Sequence, residues 1–107
     1  MNDVPSIGSG GIIFYGRDKC IDCDNAKEVL DGVGLKLGKD YIYRDVRQEP
    51  EAKKAVTSIC EARNKSPCVP VIVFSPDLVF IEPREENLVD LQMAAMAKAS
   101  LTREMSR

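Results

Sequence analysis

The stretch Ile12-Ile13-Phe14-Tyr15-Gly16-Arg17-Asp18-Lys19-Cys20-Ile21-Asp22-Cys23 decides how the rest of the chain is read. Ile12 to Tyr15 is a continuous apolar run, as expected of a central strand covered on both faces. Gly16 to Lys19 makes a polar loop. From about Asp22 to Gly32, Cys23, Ala26, Leu30 and Val33 recur on one helical face, with Val29 beside them. Two thiols separated by two residues therefore sit where a strand hands over to a helix. There, the unpaired N–H groups and partial positive charge of the helix start favour a thiolate at Cys20. The thiolate is the reactive form of cysteine, and Cys23 lies one turn on, within reach of a short disulfide ring. This placement points to thiol–disulfide exchange more than to half of a metal site. Arg17 and Lys19 would lower the pKa of Cys20, while Asp18, Asp22 and Asp24 would raise it.

Outward from this junction, Tyr41 to Val46 reads as an outer strand. Glu49-Pro50-Glu51 opens a second helix, with proline in its first turn and acids around it. Its apolar stripe is Ala52, Ala55, Val56, Ile59 and Cys60, and it should stop near Asn64. Val71 to Phe74 is another buried strand, Ser75-Pro76-Asp77 a turn, and Leu78 to Ile81 a strand at hairpin spacing. Pro83 to Asn87 leads into a last helix. Leu88, Leu91 and Ala95 lie on one stripe there, with Val89, Met93 and Met96 beside it. The order predicts an α/β chain with one four-stranded mixed sheet and three helices, its first crossover right-handed. Residues 1–11, with Pro5, Gly8, Ser9, Gly10 and Gly11, read as a flexible lead; 12–97 as the single domain; 98–107 as a polar tail.

Composition bounds the function. The 107 residues allow one domain with a modest core, and 44% hydrophobic residues exclude a disordered chain. No apolar run has bilayer length, and the first residues do not form a basic-then-apolar secretory signal. A cytoplasmic location, without membrane or nucleic-acid partners, is the expectation. Fifteen basic against seventeen acidic residues give a net charge of −2, with no basic stripe of the nucleic-acid-binding kind. There is no histidine, which removes Cys–His catalysis and every imidazole-dependent zinc pattern. Four cysteines in such a chain favour catalysis or metal over a disulfide framework.

A strand followed by CxxC, then Val69-Pro70-Val71-Ile72-Val73-Phe74 ahead of a hairpin and terminal helix, resembles the glutaredoxins, from about Ile12 to Met96. The resemblance implies a thioredoxin-like fold of the βαβ-α-ββα type. It implies Cys20 as nucleophile, Cys23 as partner, and a cis proline at Pro70 that packs beside the active disulfide. The backbone of Val69 would then dock an extended peptide or glutathione by adding a short strand. The expected site is Cys20 and Cys23 for exchange, with Lys19, Ile21, Asp22, Cys68, Val69 and Pro70 around the substrate and no metal. The implied partners are disulfide-containing proteins, with glutathione or thioredoxin reductase as electron source and no tightly bound cofactor. Two positions depart from the family pattern. Cys68 stands where a threonine is usual, and Glu82-Pro83-Arg84-Glu85-Glu86-Asn87 replaces a Gly-Gly segment. Glu82, Glu85 and Glu86 would repel a glutathione carboxylate unless Arg84 compensates.

A different class of function uses Cys20, Cys23, Cys60 and Cys68 as a Cys₄ zinc or iron–sulfur site. The gap of 36 residues between the pairs and of seven within the second pair argues against it. Cys60, on an apolar stripe, reads as core; Cys68 reads as a third thiol, protected or regulatory, or as a partner for Cys60. Tyr15 has either a core or a groove-lining role.

Overall fold

The computed structural model describes residues 11–105, with side chains through Leu101. Seven elements follow in the expected order: β1 (Ile12–Gly16), α1 (Ile21–Gly32), β2 (Tyr41–Asp45), α2 (Pro50–Glu61), β3 (Val71–Ser75), β4 (Leu78–Ile81) and α3 (Glu86–Met105). The four strands form one sheet in the order β2-β1-β3-β4. β2 runs parallel to β1, with Ile12 opposite Tyr41 and Gly16 opposite Asp45. β3 runs antiparallel to β1 and β4 antiparallel to β3, with a register irregularity between Val73 and Ser75.

Because side chains alternate along a strand, the two central strands divide their apolar residues between two faces. Ile12 and Phe14 of β1 and Ile72 and Phe74 of β3 pack with Cys23, Ala26 and Leu30 of α1 and Leu91, Ala95 and Ala99 of α3. Tyr15 and Val71 face the other way, onto Ala52, Val56 and Cys60 of α2. The continuous apolar runs seen in the sequence are thus covered on both sides. Complete burial of a side chain such as Leu30 or Ile72 contributes about 2 kcal/mol. Tyr15 belongs to this core, at 8% exposure. Tyr41 is buried on the outer strand β2, where its hydroxyl donates to Asp31 at 2.7 Å. Burial first, then that bond, pushes the tyrosine pKa up.

α3 keeps the expected stripe of Leu88, Leu91 and Ala95 against the core but is longer than its sequence reading. It continues past Lys98 to Met105, so residues 98–105 of the expected polar tail are helical. Its inward stripe is Leu91, Ala95 and Ala99, while Val89, Met93 and Met96 lie 53%, 64% and 54% exposed. Small alanines at i+4 and i+8 let the helix lie close on the sheet, which leaves no room for the longer methionines on that side. The expected lead, residues 1–11, falls outside the described residues apart from Gly11, as do residues 106–107.

Candidate active site

Four loops converge at one end of the sheet, and the strand register shows why. Gly16 ends β1 opposite Asp45, Tyr15 pairs with Val71, and Val71 pairs with Ile81. The segments after β1, after β2, before β3 and after β4 therefore lie side by side. Cys20, Val46, Pro70 and Glu82, distant in sequence, belong to this one edge.

The β1–α1 loop is held by Arg17, whose guanidinium donates to the carbonyls of Asp18 and Lys19 at 3.2 and 3.3 Å. Lys19 has φ of 54°, in the left-handed region that favours glycine. This turn swings Cys20 into the N-cap of α1, in extended conformation. Its sulfur accepts a hydrogen bond from the Cys23 N–H at 3.1 Å. Cysteine here does what serine or aspartate commonly does at this position. Cys20 and Cys23 are joined as a disulfide, with Cα atoms 5.2 Å apart. A sulfur at a helix N-terminus with a backbone N–H aimed at it is an environment that favours negative charge. Cys20 is 6% exposed and Cys23 2%, so both sulfurs are buried in this state.

One residue of the site escaped the sequence reading. A Cβ added to Gly16 would lie 3.0 Å from the Tyr43 ring, 3.1 Å from the Phe14 ring and 3.2 Å from Cys23 Sγ. Glycine here lets the buried thiol approach the end of β1. Local sequence carries no signal for this, because the demand arises only when the fold closes Tyr43, Phe14 and Cys23 around the glycine.

The Val69–Pro70 peptide bond is cis. Pro70 is fully buried, and Val69 packs against both core clusters, the one containing Cys20 and Cys23 and the one containing Cys60. The Pro70 carbonyl accepts from the Glu82 N–H at 2.7 Å, which fixes the β4–α3 loop beside it. From that loop Arg84 reaches Asp22 in the first turn of α1 at 3.0 Å and Glu82 at 3.1 Å. Glu82 and Glu85 have φ of 47° and 52°, so this segment turns through left-handed conformations without glycine. Beside Val69 opens a groove of about 840 Å³ whose lining includes Arg17, Arg47, Lys53, Cys68, Val69 and Glu82. Lys19 and Ile21 flank the disulfide and are exposed, Ile21 at 75%.

Cys60 and Cys68 lie on the α2 face, away from Cys20 and Cys23 on the α1 and α3 face. The Cys₄ arrangement is therefore not formed: among the described residues no three or more Cys, His, Asp or Glu gather to hold a metal. Burial, then the charge of Glu82 and the neighbouring Cys60, push the Cys68 thiol up from its ordinary 9.0 to about 11. No helix of the described residues is long and apolar enough to cross a membrane.

Comparison with solved structures finds similarity to the crystal structure of a glutaredoxin from Archaeoglobus fulgidus. The two share 22% identity at a TM-score of 0.59, over 85% of this chain and 95% of that one. At this identity the match shows the fold, a thioredoxin-like α/β arrangement. No curated protein matches the chain significantly. The glutaredoxin family profile matches residues 12–79, well over half of the length. The chain belongs to the glutaredoxin family.

Proposed function

We propose that this glutaredoxin is a cytoplasmic dithiol–disulfide oxidoreductase in which Cys20 attacks and Cys23 resolves. In the reduced protein the Cys20 thiolate attacks one sulfur of a substrate disulfide, and the first substrate thiolate leaves and takes up a proton. Cys23, deprotonated, then attacks the Cys20 sulfur and releases the second substrate thiolate. The substrate gains two electrons, and the protein keeps the Cys20–Cys23 disulfide. The observation that carries this reading is the Cys23 N–H bonded to Cys20 Sγ at the start of α1. It provides a donor for the nucleophile and holds the resolving sulfur one turn away. We assign Lys19, Ile21 and Asp22 to the border of the disulfide and Val69 and Pro70 to the substrate edge, with Cys68 leading into that edge from the α2 side. There an extended peptide or glutathione would align along the backbone of Val69.

The charges around that edge bear on the electron source. Arg17, Arg47 and Lys53 offer cations for a carboxylate on one side of Val69. Glu82 lines the same groove and repels a second carboxylate, and Arg84 beside it is engaged by Asp22 and Glu82. We assign glutathione as reductant with a KM raised by Glu82, and disulfide-containing proteins as substrates. Offering glutathione with its reductase, and thioredoxin reductase separately, tests this. Turnover with glutathione is expected, and Glu82→Gln should lower its KM several-fold with little change in kcat. Turnover with thioredoxin reductase alone would contradict the assignment. Replacing Cys20 with Ser should abolish activity with either donor.

A further inference from the structure

The Cys20–Cys23 chemistry leaves two other thiols unused, and they lie together. Cys60, with no exposed surface, ends the buried stripe of α2, and the half-buried Cys68 packs against the same cluster. The chain folds back directly after Cys60: the N–H groups of Arg63 and Lys65 both donate to the Cys60 carbonyl, at 3.0 and 2.9 Å. This return brings the Ser66–Val69 segment over the end of α2, where Cys68 packs against the same cluster that encloses Cys60. Cys68 also lines the groove beside Val69, so one sulfur of the pair meets solutes and the other does not.

We infer that Cys60 and Cys68 form a second redox site, a dithiol that small-molecule disulfides oxidise by entering at Cys68 and leaving with Cys60 as the resolving thiol. Cys68 loses its proton and attacks a disulfide RSSR; the S–S bond breaks and one RS⁻ departs and is protonated. Cys60 then loses its proton and attacks the Cys68 sulfur of the mixed disulfide, expelling the second RS⁻. The protein dithiol is oxidised by two electrons and RSSR becomes two RSH. The second attack is intramolecular, so Cys60 need not be reached from solvent. Burial and the nearby Glu82 hold Cys68 protonated, which slows the first step and reserves the site for a sustained excess of disulfide. The product ties the segment leading into Val69 to the end of α2 and withdraws a thiol from the groove wall.

The test uses the full chain carrying Cys20→Ser and Cys23→Ser, which leaves two thiols; serine retains the cap at the start of α1. The protein is incubated with excess oxidised glutathione to equilibrium, alkylated, cut with trypsin and mapped by mass. Trypsin places Cys60 and Cys68 on different peptides, 55–63 and 66–84. Expected is loss of both titratable thiols and a linked pair of these peptides that separates on reduction. With Cys68→Ser added, Cys60 should stay free of glutathione. Glutathione retained on Cys68 beside an alkylated Cys60, two unreacted thiols, or modification of Cys60 without Cys68 would each overturn the proposal. The wild-type chain, mapped the same way, should show the same linked pair alongside Cys20–Cys23. A link from either group to the other would count equally against it.

Discussion

At the scale of single residues, the site depends on a glycine as much as on its cysteines. Gly16 leaves space that Cys23 Sγ and the rings of Phe14 and Tyr43 use, and Phe14 is fully buried, so little can yield. Gly16→Ala should cost about 1–3 kcal/mol, seen as a lowered melting temperature of oxidised and reduced protein alike. A melting temperature equal to wild type would show that the neighbours give way without cost. The two cysteines could be read from sequence because strand, loop and helix are adjacent there. Gly16 could not, since its constraint appears only when Tyr43, Phe14 and Cys23 close around it in the fold. Nor could the left-handed turns at Lys19, Glu82 and Glu85, whose side chains do not advertise a positive φ.

At the scale of elements, strand and helix order was legible because each segment carries its own marker. β1 and β3 are unbroken apolar runs, Pro50 opens α2, and the hairpin spacing marks β4. In α3, periodicity identified the packed stripe of Leu88, Leu91 and Ala95 but not its width or the helix's length. The alanines go inward because they permit close approach, and Val89, Met93 and Met96 remain exposed. Leu91→Ala should therefore cost about 2–5 kcal/mol, whereas Met93→Ala should stay within about 0.5 kcal/mol of wild type. Denaturant midpoints distinguish the two. Equal losses would mean that the exposed stripe of α3 is packed in solution.

At the scale of the molecule, the sheet separates two pairs of cysteines. Sequence spacing made the Cys₄ arrangement doubtful, but only the division of β1 and β3 side chains between two faces puts the thiol pairs on opposite sides. The same packing sets a pH response. Burial raises Tyr15, Tyr41 and Tyr43, and raises Cys68 to about 11. A raised folded pKa means that the folded state holds its proton more tightly than the unfolded chain. The contribution of Cys68 is thus complete below pH 9.0 and is lost as pH rises through about 11. Stability in denaturant should fall across that window. Cys68→Ser should soften its first part and leave the tyrosine part. A stability independent of pH there would contradict the burial of these groups in solution.

The account turns on Cys20 as the attacking sulfur and Cys23 as the one that releases the substrate. The direct measurement is mass mapping of the reduced Cys23→Ser protein after exposure to one equivalent of a disulfide substrate. A stable mixed disulfide on the tryptic peptide 20–27, which carries Cys20, is the predicted result. A substrate adduct on Cys60 or Cys68 with Cys20 left free, or no adduct at all, would contradict it.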